Sequence, residues 1–248
     1  MKNIKKLKTE FSRIKAMGFV PNTRPNNKDG GIGNTFEDLL GVEENNRKEA
    51  DFEGIEIKTQ RFLTGSSVSL FSKSPDFPKR ANSRLRETYG DARQEEHSGK
   101  KILYASVFGD REGEVYSKYK MKLNVNRGTQ RIELLIKNLE GKLLETIYWD
   151  FSTIKKASHK LDTLFLVFAE TKTFDNKKFC HFTKGDLYYK FDFEKFLTEI
   201  ERGTIQFDIR IGVYNSGKNY GKTHDHGSGF RIKSQYFSKL YTSFEKIE

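Results

Sequence analysis

Cysteine is almost missing from this sequence: Cys180 stands alone among 248 residues. A single thiol closes no internal disulfide and has no neighbouring Cys to complete a structural zinc site, which predicts a reducing, cytoplasmic setting. Long apolar runs are missing too. The longest, residues 164–169, is far below the about 18 residues that a membrane-spanning helix requires. The amino-terminal segment has the positive charges of a signal peptide without the uninterrupted apolar stretch that must follow them. No segment repeats at a fixed period and none is low in complexity.

Charge, by contrast, is abundant and unequal. Lys and Arg number 45 against 34 Asp and Glu, a formal net charge of +11, which suits a polyanionic partner. Charge alone leaves RNA, DNA and acidic lipid open. At residues 3–17, Ile4, Leu7, Phe11 and Ile14 share one stripe at helical spacing, which predicts a docked amphipathic helix.

Pro21, Pro25, Gly30, Gly31 and Gly33 mark a loop over residues 18–33, followed by a helix capped by Asn34 or Thr35 and ending at Gly41. A short strand then carries Ile55 and Ile57 on one face and Glu56 and Lys58 on the other, with residues 68–72 expected to pair with it. Residues 101–149 read as antiparallel strands with turns at 126–128 and 140–141. Residues 163–169 read as a central strand buried on both faces, and 192–202 as a helix. From Ile205 the alternation is clean: Ile205, Phe207, Ile209, Ile211 and Val213 share one face, Asp208 and Arg210 the other. A Gly- and Lys-rich loop, 215–227, and a return strand at 229–232 complete a hairpin with a basic tip.

Phosphodiester hydrolysis needs a hard cation at the phosphate, held by carboxylates, and a group beside the attacking water. Asp51, Glu56 and Lys58 supply two acids and an amine, with Asp51 able to approach across the bend at Gly54. The bare pattern D-x4-E-x-K also fits a solvated strand face. Glu37, three residues after Asn34, fits either a metal-site acid or a capping box. Gly221-Lys222-Thr223 looks like the end of a nucleotide-binding loop, but position 216, where its first glycine belongs, is Ser216.

Several blocks in order, GIGNTFEDLL, ADFEGIEIKTQ, LFSKSP, ANSRLRETYG, FDIRIGVYNSGK and GKTHDHGSGFRI, resemble the MvaI/BcnI family of restriction endonucleases. The resemblance covers about residues 31–90 and 203–232. It implies an α+β (α/β) fold: a PD-(D/E)XK core, related to that of the MutH nicking enzyme, with a mixed sheet flanked by helices, and a β-rich lobe that reads DNA. Residues 1–90 with about 155–202 would form the catalytic lobe, and about 203–248 with part of 95–150 the recognition lobe. Ala50 stands where the motif has its proline. By position, Asp51 and Glu56 would bind Mg2+, Lys58 would position the attacking water, and Glu37 would be an auxiliary acid. The implied protein is a prokaryotic, cytoplasmic Type II enzyme acting as a monomer on double-stranded DNA at a CCWGG-like site, with a cognate DNA methyltransferase as unbound functional partner. A MutH-like nickase and a non-catalytic DNA-binding regulator are the alternatives.

Arg210 suits the O6 and N7 of guanine and Asp208 the cytosine amino group, with a cross-strand ion pair as the alternative. His224, Asp225, His226 and Arg231 extend that polar side, which the resemblance places in the major groove. The two histidines fit base or phosphate contact, an internal hydrogen-bonding role, or a metal. Lys218 and Lys222 are expected to touch phosphates.

Overall fold

The computed structural model describes residues 2–24, 31–42, 49–62, 65–92, 100–214 and 216–247. In chain order its elements are α1 (Lys2–Ala16), β1 (Val20–Pro21), α2 (Gly31–Leu40), β2 (Glu56–Arg61), β3 (Ser67–Ser72), α3 (Ala81–Tyr89), β4 (Leu103–Val107), β5 (Gly113–Val115), β6 (Tyr119–Asn126), β7 (Arg131–Asn138) and β8 (Leu143–Asp150). There follow α4 (Phe151–Ser158), β9 (Thr163–Phe174), β10 (Lys177–Phe191), α5 (Phe193–Glu201), β11 (Ile205–Val213), β12 (Thr223–Asp225), β13 (Gly229–Lys233) and β14 (Tyr241–Ile247). The fold is mixed α/β and rich in sheet. Among the described residues no helix is long and apolar enough to cross a membrane.

The chain divides into two units. The first comprises Met1–Val68, His159–Asp192 and Ser234–Glu248, the second Ser69–Ser158 and Phe193–Lys233. Residues 69–90 and 193–202, grouped by sequence with the catalytic lobe, thus fall in the second unit, and 234–248 fall in the first. Strand pairing is the reason: β3 lies beside β13, and β14 pairs with β10.

In the first unit the sheet runs β1-β10-β9-β2, with β14 also on β10. The β2 and β9 strands are parallel and the other pairs antiparallel, so β9 lies inside the sheet. Leu7, Phe11 and Ile14 of α1 and Ile32, Phe36 and Leu40 of α2 pack on Ile57, Phe165, Val167, Phe182 and Leu187. Phe11 meets Phe165 edge-on at 5.2 Å, and Phe36 lies 4.9 Å from Phe182. Each buried ring contributes roughly 1.5–3 kcal/mol, enough to fix the helices on this face. In register, Glu56 lies opposite Leu164 and Lys58 opposite Leu166, so both acid and amine belong to the face away from those helices.

Two sequence expectations are corrected in this region. Residues 31–33 are helical, not loop, so Asn34 and Thr35 lie inside α2 and neither caps it. Close packing accounts for the glycines: a Cβ on Gly31 would stand 2.3 Å from Asn22 Nδ2, and one on Gly33 3.3 Å from Thr59 Oγ1. Pro25 and Gly30 lie outside the described residues. Strand β3 pairs with β13 and not with β2, whose ladder partner is β9. Gly229 permits that approach, since a Cβ there would meet Phe71 O at 2.5 Å.

The second unit holds two sheets, β12-β11-β13-β3 with β4 on the other edge of β11, and the antiparallel meander β5-β6-β7-β8. Trp149, Phe207, Phe230, Phe71 and Phe196 form one aromatic cluster, with Trp149 4.6 Å from Phe207. The Trp149 indole N–H donates to Lys73 O at 2.9 Å, so this large buried side chain leaves no polar atom unsatisfied.

Candidate functional site

Strand β2 is an edge strand in its sheet, and the segment before it folds back on it. Phe52 and Ile55 exchange both backbone hydrogen bonds at 2.9 Å across a tight turn whose central residues, Glu53 and Gly54, have φ of 47° and 87°. Such a turn favours Gly, which is why the bend sits at Gly54. It brings Asp51 back alongside β2, where Asp51 Oδ2 accepts the Ile57 N–H at 3.0 Å.

Glu56 is wholly buried. Its Oε1 lies 2.5 Å from Lys58 Nζ and 2.7 Å from Lys160 Nζ. Its Oε2 is buried and has no hydrogen-bond partner among the described residues. A buried carboxylate oxygen left unpaired is expensive, and it marks a position where a cation or a donor belongs.

Glu37 projects from α2 into the same electrostatic neighbourhood. Burial, then the charges of Asp51 and Glu56 opposed by that of Lys58, raises its carboxyl from the usual 4.5 to about 7. Glu37, Asp51, Glu56 and Lys58 are thus electrostatically coupled within one unit. Since Asn34 is internal to α2, the capping-box role for Glu37 is excluded. No three His, Cys, Asp or Glu among the described residues converge tightly enough to enclose a metal ion by themselves.

Nothing in the local sequence marks Lys160. It occupies the 3-10 turn His159–Leu161 just before β9, about a hundred positions beyond Glu56, and no local motif surrounds it. Tyr241 is also electrostatically coupled to Glu56; burial first, then that charge, pushes its phenol well above the ordinary value.

In the second unit, Gln206, Asp208 and Arg210 share one face of β11, with Ser106 and Tyr104 beside them on β4 and Arg231 on β13. Asp208 is heavily engaged. Its Oδ1 accepts from Ser106 Oγ at 2.7 Å and Gln206 Nε2 at 2.6 Å, and its Oδ2 pairs with Arg231 Nε at 3.1 Å. The cross-strand ion pair expected as the alternative to base contact is thus present, between Asp208 on β11 and Arg231 on β13. Tyr104, Ser106, Asp208 and Arg210 line an open recess.

The hairpin returns through β12 and β13, both antiparallel to β11. Tyr214 stacks on His224 at 4.3 Å and its hydroxyl lies 2.9 Å from His224 Nδ1. His226 meets His224 edge-on at 4.8 Å; burial and the His224 charge hold its ring below the usual histidine value. The pair contacts Tyr214 and forms no metal cluster with a third ligand among the described residues. Lys218 and Lys222 are exposed near the tip, where Lys222 Nζ reaches Asn219 Oδ1 at 3.3 Å. Among the described residues, Asp225 Oδ1 accepts from Gly227 N, Ser228 N and Ser228 Oγ, and Oδ2 accepts from Asn82 Nδ2.

One unit thus carries a carboxylate pair with a lysine, and the other a row of arginine, histidine and amide groups. The chain is a restriction endonuclease, a site-specific deoxyribonuclease. It belongs to the MvaI/BcnI restriction endonuclease family, whose model matches residues 8–241. Among solved structures it is similar to restriction endonuclease MvaI in a cognate DNA substrate complex, with 33% identity, 100% of this chain and 99% of that chain covered, and a TM-score of 0.93. It is also similar to MvaI in the absence of DNA, with 34% identity, coverage of 100% and 98%, and a TM-score of 0.63. No curated protein matches it.

Proposed function

We propose that this enzyme is a Type II endonuclease of the PD-(D/E)XK kind that hydrolyses double-stranded DNA with Mg2+ at a short, GC-rich, CCWGG-like site. It works as a monomer cutting the strands in turn, alongside a cognate methyltransferase in a prokaryotic cytoplasm. In this reading the first unit cuts and the second reads. The observation that carries the proposal is the buried Oε2 of Glu56, unpaired beside Lys58 and electrostatically linked, through Glu37, to Asp51.

The donor set suits Mg2+. Asp51 uses one oxygen on Ile57 N–H, which leaves the other for a cation, and Glu56 offers Oε2. Mg2+ takes few protein carboxylates and completes its shell with water and phosphate, so the absence of a three-ligand cluster among the described residues is compatible with it. When bound, it neutralises phosphate charge and makes water more acidic. Lys58 holds the attacking water and offers its ammonium to the developing negative charge. Glu37, whose carboxyl burial and the Asp51 charge raise to about 7, is the auxiliary acid. Lys160, on the same Glu56 oxygen as Lys58, keeps that carboxylate oriented.

On the reading unit, Arg210 and Arg231 address guanines, Asp208 orients Arg231 and takes a cytosine amino group, and His224 and His226 contact base edges or phosphates. Lys218 and Lys222 attract the backbone without specifying sequence. The MvaI complex with its cognate DNA supports duplex DNA as the partner. Digestion of a plasmid of known sequence, with the ends mapped, tests the proposal: discrete fragments ending in CCWGG-like sites are expected, and nicked circles that persist under prolonged digestion would point to a nickase instead.

A further inference from the structure

The return strand of the hairpin does not run straight. Ile211 lies opposite Asp225 and Asp208 opposite Gly229, so two residues on β11, Ile209 and Arg210, face three on the return strand, residues 226–228. That is a β-bulge, and it falls at Arg210. The Arg210 N–H donates to the Ser228 hydroxyl at 2.8 Å, and Arg210 O accepts the His226 N–H at 2.8 Å. A regular ladder would have given both bonds to one partner residue. Bulges bend a strand and re-aim its side chains, and they persist where something holds them.

Here Asp225 does the holding. Its Oδ1 accepts Gly227 N–H at 3.0 Å, Ser228 N–H at 2.7 Å and the Ser228 hydroxyl at 2.8 Å. Its Oδ2 accepts the Asn82 amide at 2.6 Å, which ties the bulge to the first turn of α3. Gly227, at φ 88°, supplies the backbone conformation that lets successive N–H groups point at one carboxylate. Ser228 is buried and spends its hydroxyl in both directions, donating to Asp225 and accepting from Arg210. Oδ1 is thus saturated by three donors from the bulge itself, and Oδ2 is engaged by the Asn82 amide.

We infer that Asp225, with Asn82 and Ser228, is a positioning device for base selection: it locks the bulge that presents Arg210 and His226, and itself touches no base. The inference rests on the reading of this hairpin as the DNA-selecting surface. It assigns a role to Asn82, on a helix outside the hairpin, and withdraws Asp225 from the base contacts that its place in the sequence suggests.

The test measures affinity for a duplex carrying the preferred site, for a panel with each base pair of that site changed singly, and for random duplex, in wild type, Asp225→Asn, Asn82→Ala and Arg210→Ala. Asp225→Asn keeps size but replaces an acceptor with a donor. It should lower preference by roughly tenfold at the same base pairs that Arg210→Ala affects, leave random-duplex affinity unchanged, and add little when combined with Arg210→Ala. Asn82→Ala should give the same pattern more weakly, which preserves the test should Asp225→Asn fold poorly. Amide exchange at Arg210 and Ser228 should quicken in both variants. Loss at one base pair that Arg210→Ala leaves intact, with unchanged amide exchange, would overturn the inference and make Asp225 a base contact. A wild type that prefers no base pair would overturn both the inference and the reading beneath it.

Discussion

Lys160 Nζ lies 2.7 Å from the Oε1 of Glu56, a side chain without solvent exposure, on the same oxygen that Lys58 approaches to 2.5 Å. Two ammonium groups therefore compensate one buried carboxylate. Breaking a buried pair costs roughly 3–5 kcal/mol when nothing replaces the partner, and Lys58 should reduce the cost of Lys160→Met to about 1–2 kcal/mol. Urea unfolding of metal-free protein measures it. A Lys58→Met, Lys160→Met double variant should lose more than the sum of the two single losses, and strict additivity would mean that the two lysines do not share Glu56.

Lys58→Ala should reduce cleavage by about a hundredfold or more, the scale seen when a group stabilising transition-state charge is removed, while DNA binding persists. Single-turnover cleavage and a binding titration on the same duplex separate the two. Cleavage at the wild-type rate would remove Lys58 from the chemistry.

Burial beside Asp51 holds the Glu37 carboxyl at about 7, against 4.5 for an ordinary glutamate. The folded protein thus binds this proton more tightly than the unfolded chain, so Glu37 lowers stability as pH rises from 4.5 through 7. With solvent screening of a partly exposed group discounted, the loss is on the order of 1 kcal/mol. Glu37→Gln should flatten that part of the stability profile in metal-free buffer and be the more stable protein above pH 7. Identical profiles for the two proteins would contradict the coupling.

Much of the candidate site in the first unit was legible in the sequence because it depends on local geometry. Alternation sets Glu56 and Lys58 on one strand face, and Gly54 marks the turn that returns Asp51 to that strand. What escaped depends on long-range packing. Gly31 and Gly33 read as loop residues, yet they lie in α2 and are glycine because Asn22 and Thr59 press against them. Strand β3 found its partner in β13, more than 150 positions away, and Lys160 reaches Glu56 with no motif to announce it. On the reading side the alternation of β11 foretold which residues share a face. It left open a cross-strand ion pair, which Asp208 makes with Arg231, but did not foretell that Asp225 would spend its carboxylate on Gly227, Ser228 and Asn82.

Arg210→Ala should cost about 1–3 kcal/mol on the preferred site and blur selection at one G·C pair. Lys222→Ala should weaken all duplexes alike and lower the slope of log affinity against log salt by about 1. Binding titrations across a salt series resolve both. Equal losses for Arg210→Ala on preferred and random duplex would contradict its reading role.

The central claim is that Asp51 and Glu56 hold a divalent ion at the scissile phosphate, with Lys58 beside the attacking water. It is tested most directly by titrating Mg2+ into metal-free enzyme on a duplex containing the preferred site, for wild type and Asp51→Asn. Cleavage that appears with Mg2+ in wild type and is lost in Asp51→Asn is the predicted result; cleavage in the absence of any divalent ion, or an unchanged Mg2+ response in Asp51→Asn, would contradict it.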